Sequence, residues 1–288
     1  MTRVHVVTDS TADLPAGLVE AEGLDITSVP LNVHFGAETF RDKIDLTNEE
    51  FFRRLATSPV LPTTSQPAVG DFEAVYRRLA ADGGPIVSIH ISSRLSGTYQ
   101  AARLAAGTLG GEGATVAVVD SLNTSLGLGF LVIAAARQAR AGAGLAEIVA
   151  QVERMVPQIH LVFLVDTLEY LQRGGRIGRA QALLGSLLSI KPILRLDEGQ
   201  VVPLRRERTR ARALDALVAV ASDLERVTTL GVIHSGAPAD AKTLAERLAP
   251  AVRPPLTPEA ILISEFGPVV GTHTGPGAVG FVAYTGPA

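Results

Sequence analysis

Residues 85–106 read PIVSIHISSRLSGTYQAARLAA, and the rest of the chain is best understood from them. Residues 85–91 form a short, largely β-branched apolar run, the pattern of a buried strand. Ser92, Ser93, Ser96 and Thr98 follow, with Gly97 among them, and an Ala- and Leu-rich helical stretch starts at Tyr99. Strand, hydroxyl-rich turn and helix start is where an α/β fold turns free backbone N–H groups toward an anion. Ser96 alone could be an N-cap and nothing more. Four hydroxyls at one strand end ask for a further reason.

The same alternation extends in both directions. Residues 3–8 and 114–119 read as strands ending in Asp9-Ser10 and Asp120-Ser121, and helices are expected over 125–140 and 145–155. Between the first two strands lie a short helix from Asp13 to Gly23 and an extended arm over 25–35. A Thr47–Glu50 capping box follows, with its helix, then a proline-bounded loop over 62–67 and a helix to Ala81. Strands alternating with helices imply a parallel sheet covered on both faces, with ligands outside the carboxyl ends of the strands. Three hydroxyl-bearing turns are therefore expected to converge on one crevice. Past residue 160 the pattern changes to hairpins and helices, with Asp197-Glu198-Gly199 at one hairpin tip. The expected fold is α/β. It comprises an N-terminal parallel-sheet α/β/α domain over residues 1–160 and a C-terminal α+β domain with a mixed or antiparallel sheet over 161–288.

Composition narrows the function. The 288 residues are 47% hydrophobic and 19% charged, which suits a globular chain with real cores. The longest apolar run, 126–136, is shorter than the ~20 residues a bilayer span requires. No signal peptide is evident, and there is no cysteine, so a cytoplasmic protein without disulfides or thiol chemistry is expected. The six histidines never fall at metal-ligand spacing, and no metal or other cofactor is expected. The net charge of −3 conceals a local imbalance: residues 173–212 hold ten Lys or Arg against three acids, a local +7. Such a run is either a solvated face or a surface for an acidic partner. Nucleic acid is disfavoured, because only 5% of the chain is aromatic and tryptophan is absent.

Gly275–Gly280 matches G-x-G-x-x-G but has too little chain after it for a βαβ unit, and there is neither a P-loop nor a nucleophile elbow. His273 lies in the glycine-rich run 271–277, either structural or a donor to a carboxylate or phosphate.

Six segments, TDSTADLP (8–15), PTTSQPAVGDF (62–72), SIHISSRLSGTYQAA (88–102), LEYLQRGGRIGR (168–179), IKPIL (190–194) and GPVVGTHTGPGAVG (267–280), together resemble the DegV family. In order, they span nearly the whole chain. The resemblance implies the fatty acid-binding subunit of a bacterial fatty acid kinase, which buries a long-chain fatty acid and presents its carboxylate to a separate ATP-dependent kinase subunit. It implies that Thr64 and Ser96 hold the carboxylate with His273 beside them. Ser65, Ser93, Gly97 and Thr98 form the supporting loop, and Arg173, Arg176 and Arg205 are the expected docking residues for the kinase. Ala68 departs from the family's usual TSQPS. The acyl wall is expected from 126–136 and 182–188. The competing reading is an acyl hydrolase with Ser96 as nucleophile and His273 as base.

Overall fold

A computed structural model describes residues 3–15, 17–184 and 190–287. Its first sheet is all parallel. β1 (His5–Asp9) is followed by α1 (Leu18–Ala21) and β2 (Ile26–Val29), which pairs with β1 at the sheet edge. Pro30 ends that strand, and the chain leaves for a small antiparallel sheet. That sheet holds β3 (Asn32–Phe35) and β4 (Glu38–Arg41) and, after α2 (Asn48–Thr57), β5 (Thr63–Ser65), in the order β4-β3-β5. The chain returns through α3 (Val69–Ala81), β6 (Ile86–His90), α4 (Thr98–Gly110) and β7 (Val116–Asp120), completing the order β2-β1-β6-β7. The extended arm expected over 25–35 is thus two strands in two different sheets.

Two helices, α5 (Ser125–Arg140) and α6 (Leu145–Met155), lead to the second sheet. The sheet is built from β8 (Ile159–Leu164), then α7 (Glu169–Arg173), β9 (Lys191–Asp197), β10 (Gln200–Glu207), α8 (Arg210–Ser222) and β11 (Thr229–His234). It is completed by α9 (Pro238–Leu248), β12 (Leu262–Glu265), α10 (Pro268–Thr274) and β13 (Val279–Tyr284). Its order is β10-β9-β8-β13-β11-β12, antiparallel except for β11 with β12. The α/β class, with one parallel and one mixed sheet, is as expected.

α5 explains how the sheets meet. Twelve of its sixteen residues are buried, including Leu126, Leu128, Phe130, Leu131 and Val132. It packs on β1 and β6 on one side and on β8, β11 and β13 on the other. Each such side chain contributes ~1.5–3 kcal/mol of burial. One hydrophobic cluster runs through both sheets as a result, while α3 with α4 and α8 with α9 bury separate outer clusters. Residues 126–136 are therefore core between sheets, not an acyl wall. The other expected wall, 182–188, lies partly outside the described residues.

Candidate functional site

A cavity of about 310 Å³ opens where β5, the turn after β6, α7 and α10 meet. Thr64, Ser96, Arg176 and His273 lie on its wall with Ser65, Gln66, Thr124 and Thr274, and the larger share of the wall is apolar, from side chains such as Ile91, Leu171, Leu196 and Phe163.

Thr64 sits on β5, whose pairing with β3 (Val33 opposite Thr64) fixes which way its side chain points. The proline-bounded segment expected as a loop is thus a short strand. His273 comes from α10, where a glycine-rich loop was expected. Val, Thr and Gly are poor helix formers, yet six of the helix's seven residues are buried, and burial overrides propensity. Pro268 starts this helix, and the Thr272 and Thr274 hydroxyls donate back to the Pro268 and Val270 carbonyls. Its N-terminus is pinned by Asp13, whose buried Oδ1 accepts from Gly267 N (3.0 Å) and from Lys43 Nζ (2.6 Å). Thr64 Oγ1 and His273 Nε2 end up 2.9 Å apart although the residues are far apart in sequence.

The surroundings of His273 settle its tautomer. Burial, with the Arg176 charge nearby, pushes its pKa down to about 4, so the ring is neutral near pH 7. Nδ1 is buried without a partner among the described residues and lies against the Cα of Gly174, where any side chain would collide with the ring. An N–H there would forfeit a hydrogen bond, so the proton belongs on Nε2 and donates to Thr64 Oγ1. The threonine hydroxyl is left with its own proton to give. Ser96 is arranged similarly: its Oγ accepts from Thr98 N (3.3 Å) and lies 2.9 Å from Thr98 Oγ1. With Thr98 as donor, Ser96 also has a proton for an anion. The formal N-cap of α4 is Gly97, not Ser96. Gly97 leaves room for the Gln66 side chain, which reaches the cavity wall.

Arg176 is placed in the cavity wall and not on an outer docking face. The Gly174-Gly175 turn (Gly175 φ 70°) brings its guanidinium back to the Leu95 carbonyl (3.0 Å) and the Gly174 carbonyl (2.7 Å). Arg173 and Arg205 are exposed, and Arg173 pairs with Glu169 at 2.9 Å.

Other expectations change as well. Of the three strand-end turns, those after β6 and β7 line the cavity with hydroxyl-bearing residues, Ser96 and Thr124, while the turn after β1 does not reach it. Asp9 is buried and accepts from Thr11 N, Ile91 N and His90 Nδ1, so it holds the turns together. Asp120 receives Ser93 N and Leu122 N. Ser65 reaches the cavity but is bonded to His34 Nε2 (2.9 Å), whereas Ser93 is exposed and lies outside it.

These features can be set beside known proteins. The sequence model of the DegV family, described as uncharacterised proteins, matches residues 3–286. The chain belongs to the DegV family. A DegV domain-containing protein of Halalkalibacterium halodurans is 40% identical over 99% of both chains. Among solved structures, a DegV family protein from Thermus thermophilus described as fatty acid binding is 39% identical, with a TM-score of 0.88 over 99% of this chain and 100% of its own. DegV of Bacillus subtilis, described as a fatty acid binding protein, is 35% identical, with a TM-score of 0.85 over 99% and 100%. Within this DegV fold, Gln66 and Leu95 are cavity residues that sequence reasoning did not single out. Gly97 was the available signal for Gln66, since it makes room for that side chain; Leu95 carried none.

Proposed function

We propose that this chain binds one long-chain fatty acid and presents its carboxylate to a separate ATP-dependent kinase subunit. The observation that carries this reading is a cavity with a mainly aliphatic and aromatic wall, on which Thr64, Ser96, Arg176 and His273 offer donors; no side-chain carboxylate is among the described lining residues. Thr64, with its proton freed by His273, and Ser96 donate to the carboxylate, and Arg176 supplies positive charge. Charge-assisted bonds of this kind contribute ~1.5–3 kcal/mol each and orient the head group. Affinity comes mainly from the chain, at ~0.8 kcal/mol per buried CH₂. The fatty acid-binding relatives support the same ligand class.

In the presented complex a carboxylate oxygen attacks the γ-phosphorus of ATP held by the partner, the bond to the β-phosphate oxygen breaks, and acyl phosphate and ADP result. The docking surface is best supported at Arg205, Arg206, Arg208 and Arg212. These are exposed and make no ion pair among the described residues, whereas Arg179, Lys191, Arg195 and Arg210 are each paired with an aspartate. Arg173 belongs to the same proposed surface. The hydrolase reading is the weaker one, because His273 is bonded to Thr64 and Ser96 to Thr98, so Ser96 and His273 do not form the nucleophile–base pair it requires.

Mass spectrometry of ligand extracted from the purified chain tests the binding reading. A bound long-chain fatty acid is expected, and neither bound lipid nor uptake of added palmitate would refute it. Acyl phosphate formation with a fatty acid kinase subunit and ATP tests the presentation step. Arg205→Glu should slow that step at low salt and leave the bound lipid unchanged.

A further inference from the structure

A second cleft, of about 620 Å³, lies beside the cavity, and Leu196 lines both. The cleft exists because the second sheet splits. β8 begins at Ile159 and is paired with β13 from there, but its pairing with β9 begins only at Val162, opposite Arg195. Beyond that point the β9–β10 hairpin swings away toward the first sheet. Its tip is held there by Ser92 Oγ, which donates to the Gly199 carbonyl at 2.9 Å. The gap left between the strands is walled on its apolar side by Leu122, Ile159, Leu161, Leu204 and Val220, while Glu153, His160, Arg195, Asp197 and Glu198 also border it. The strand backbones and the hairpin tip are fixed by hydrogen bonds. The residue that borders both cleft and cavity is Leu196, whose half-buried side chain can change rotamer.

We infer that Leu196 sets the chain length this protein accepts, and that the cleft in the split sheet is the space that takes up the methyl end of longer acyl chains. This inference rests on the fatty acid reading above. An acyl chain growing along the apolar wall meets a packed leucine. If that leucine is removed, the added methylenes enter apolar space in place of water. Each methylene buried there raises affinity about fourfold (about 0.8 kcal/mol).

The test is a competition between palmitate and docosanoate, six methylenes longer, for the delipidated full-length chain, with bound lipid read by mass spectrometry. Leu196→Ala is expected to shift the bound ratio toward docosanoate by at least about tenfold. Adding Val220→Trp, which fills the cleft from a position outside the cavity, is expected to return the ratio to near the wild-type value. Leu196→Phe should move the ratio the other way and provides the test should the alanine variant fold poorly. An unchanged ratio in chains that still bind palmitate overturns the role of Leu196. A shift that survives Val220→Trp overturns the cleft as its cause. Loss of all fatty acid binding by the wild type overturns instead the reading on which the inference stands.

Discussion

Two hydroxyl–histidine pairs lie near the carboxyl end of the first sheet, and they have opposite fates. In one, Ser88 Oγ lies 2.7 Å from His90 Nε2, while His90 Nδ1 donates to Asp9 Oδ2 at 3.0 Å. Tyr76 donates its hydroxyl to Ser88 at 2.8 Å, and Asp9, Ser88, His90 and Tyr76 are all fully buried. That serine–histidine–aspartate chain resembles hydrolytic machinery in outline but has no substrate access. In the other pair, Thr64 and His273 stand 2.9 Å apart at a cavity, with Arg176 nearby and, among the described residues, no carboxylate bonded to the ring. The surroundings thus decide what a hydroxyl–histidine pair does. With every polar atom partnered in a sealed core it locks strands together. At a cavity wall shared with an arginine it keeps a hydroxyl proton to give, which the proposed reading assigns to the carboxylate.

The largest effect expected from this contrast is on stability. Asp9→Ala strands the Thr11, Ile91 and His90 donors in a dry core and should cost at least about 3 kcal/mol in denaturant unfolding. Thr64→Ala should cost about 1 kcal/mol or less. Similar losses in the two variants would erase the distinction between a structural and a ligand-facing pair.

The next test uses pH. The folded-state pKa of His273 is pushed down to about 4 from an ordinary 6.5, so between these values the unfolded chain binds more protons. Stability should therefore fall as pH drops from about 6.5 toward 4, by about 3 kcal/mol from this residue. Asp42 acts in the opposite sense. Burial raises its pKa to about 7, so its unfavourable contribution is relieved over the same acid range. Comparing wild type with His273→Gln isolates the histidine: the variant should gain in relative stability as pH falls. A difference that is flat with pH would mean that His273 is not held as the neutral donor described.

Much of this arrangement was legible in the sequence, but unevenly. The βα units read clearly because their β-branched runs and polar turns agree with burial at every level; helices over 125–140 and 145–155 appear with those same bounds. α10 did not read as a helix, because Val, Thr and Gly favour other conformations and only tertiary burial reverses that preference. Thr64, Ser96 and His273 stood out by motif, and the structure brings all three to one cavity. Arg176 was misplaced for a physical reason: a charge in a basic run reads as surface, and only the Gly174-Gly175 turn reveals that it folds inward.

A third test weighs the two donors directly. Thr64→Ala and Ser96→Ala should each weaken palmitate binding about 10- to 100-fold, corresponding to ~1.5–3 kcal/mol per charge-assisted bond. Ser88→Ala, in the sealed chain, should leave affinity within about twofold in whatever fraction remains folded. An equal loss from Ser88→Ala would show that the two pairs are coupled through the sheet.

The smallest expected effect lies next to Thr64. Ala68 occupies the N-cap position of α3 in an extended conformation (φ −69°, ψ 155°), and its backbone N–H donates to Asp71 Oδ2 at 2.8 Å. Half of a capping box is therefore present, since alanine has no oxygen to accept from the first helical turn. The departure from the TSQPS pattern falls on a helix cap and not on a cavity residue. Ala68→Ser should restore the missing acceptor and raise stability by about 1 kcal/mol, read as a higher denaturant midpoint at constant slope. Fatty acid affinity should stay unchanged, because the direction of Thr64 is set by the pairing of β5 with β3 and by His273, three or more positions from the cap. If the cap instead tightens binding along with stability, the α3 start and the β5 strand move as one unit. Part of the donor geometry would then be set by the helix behind it.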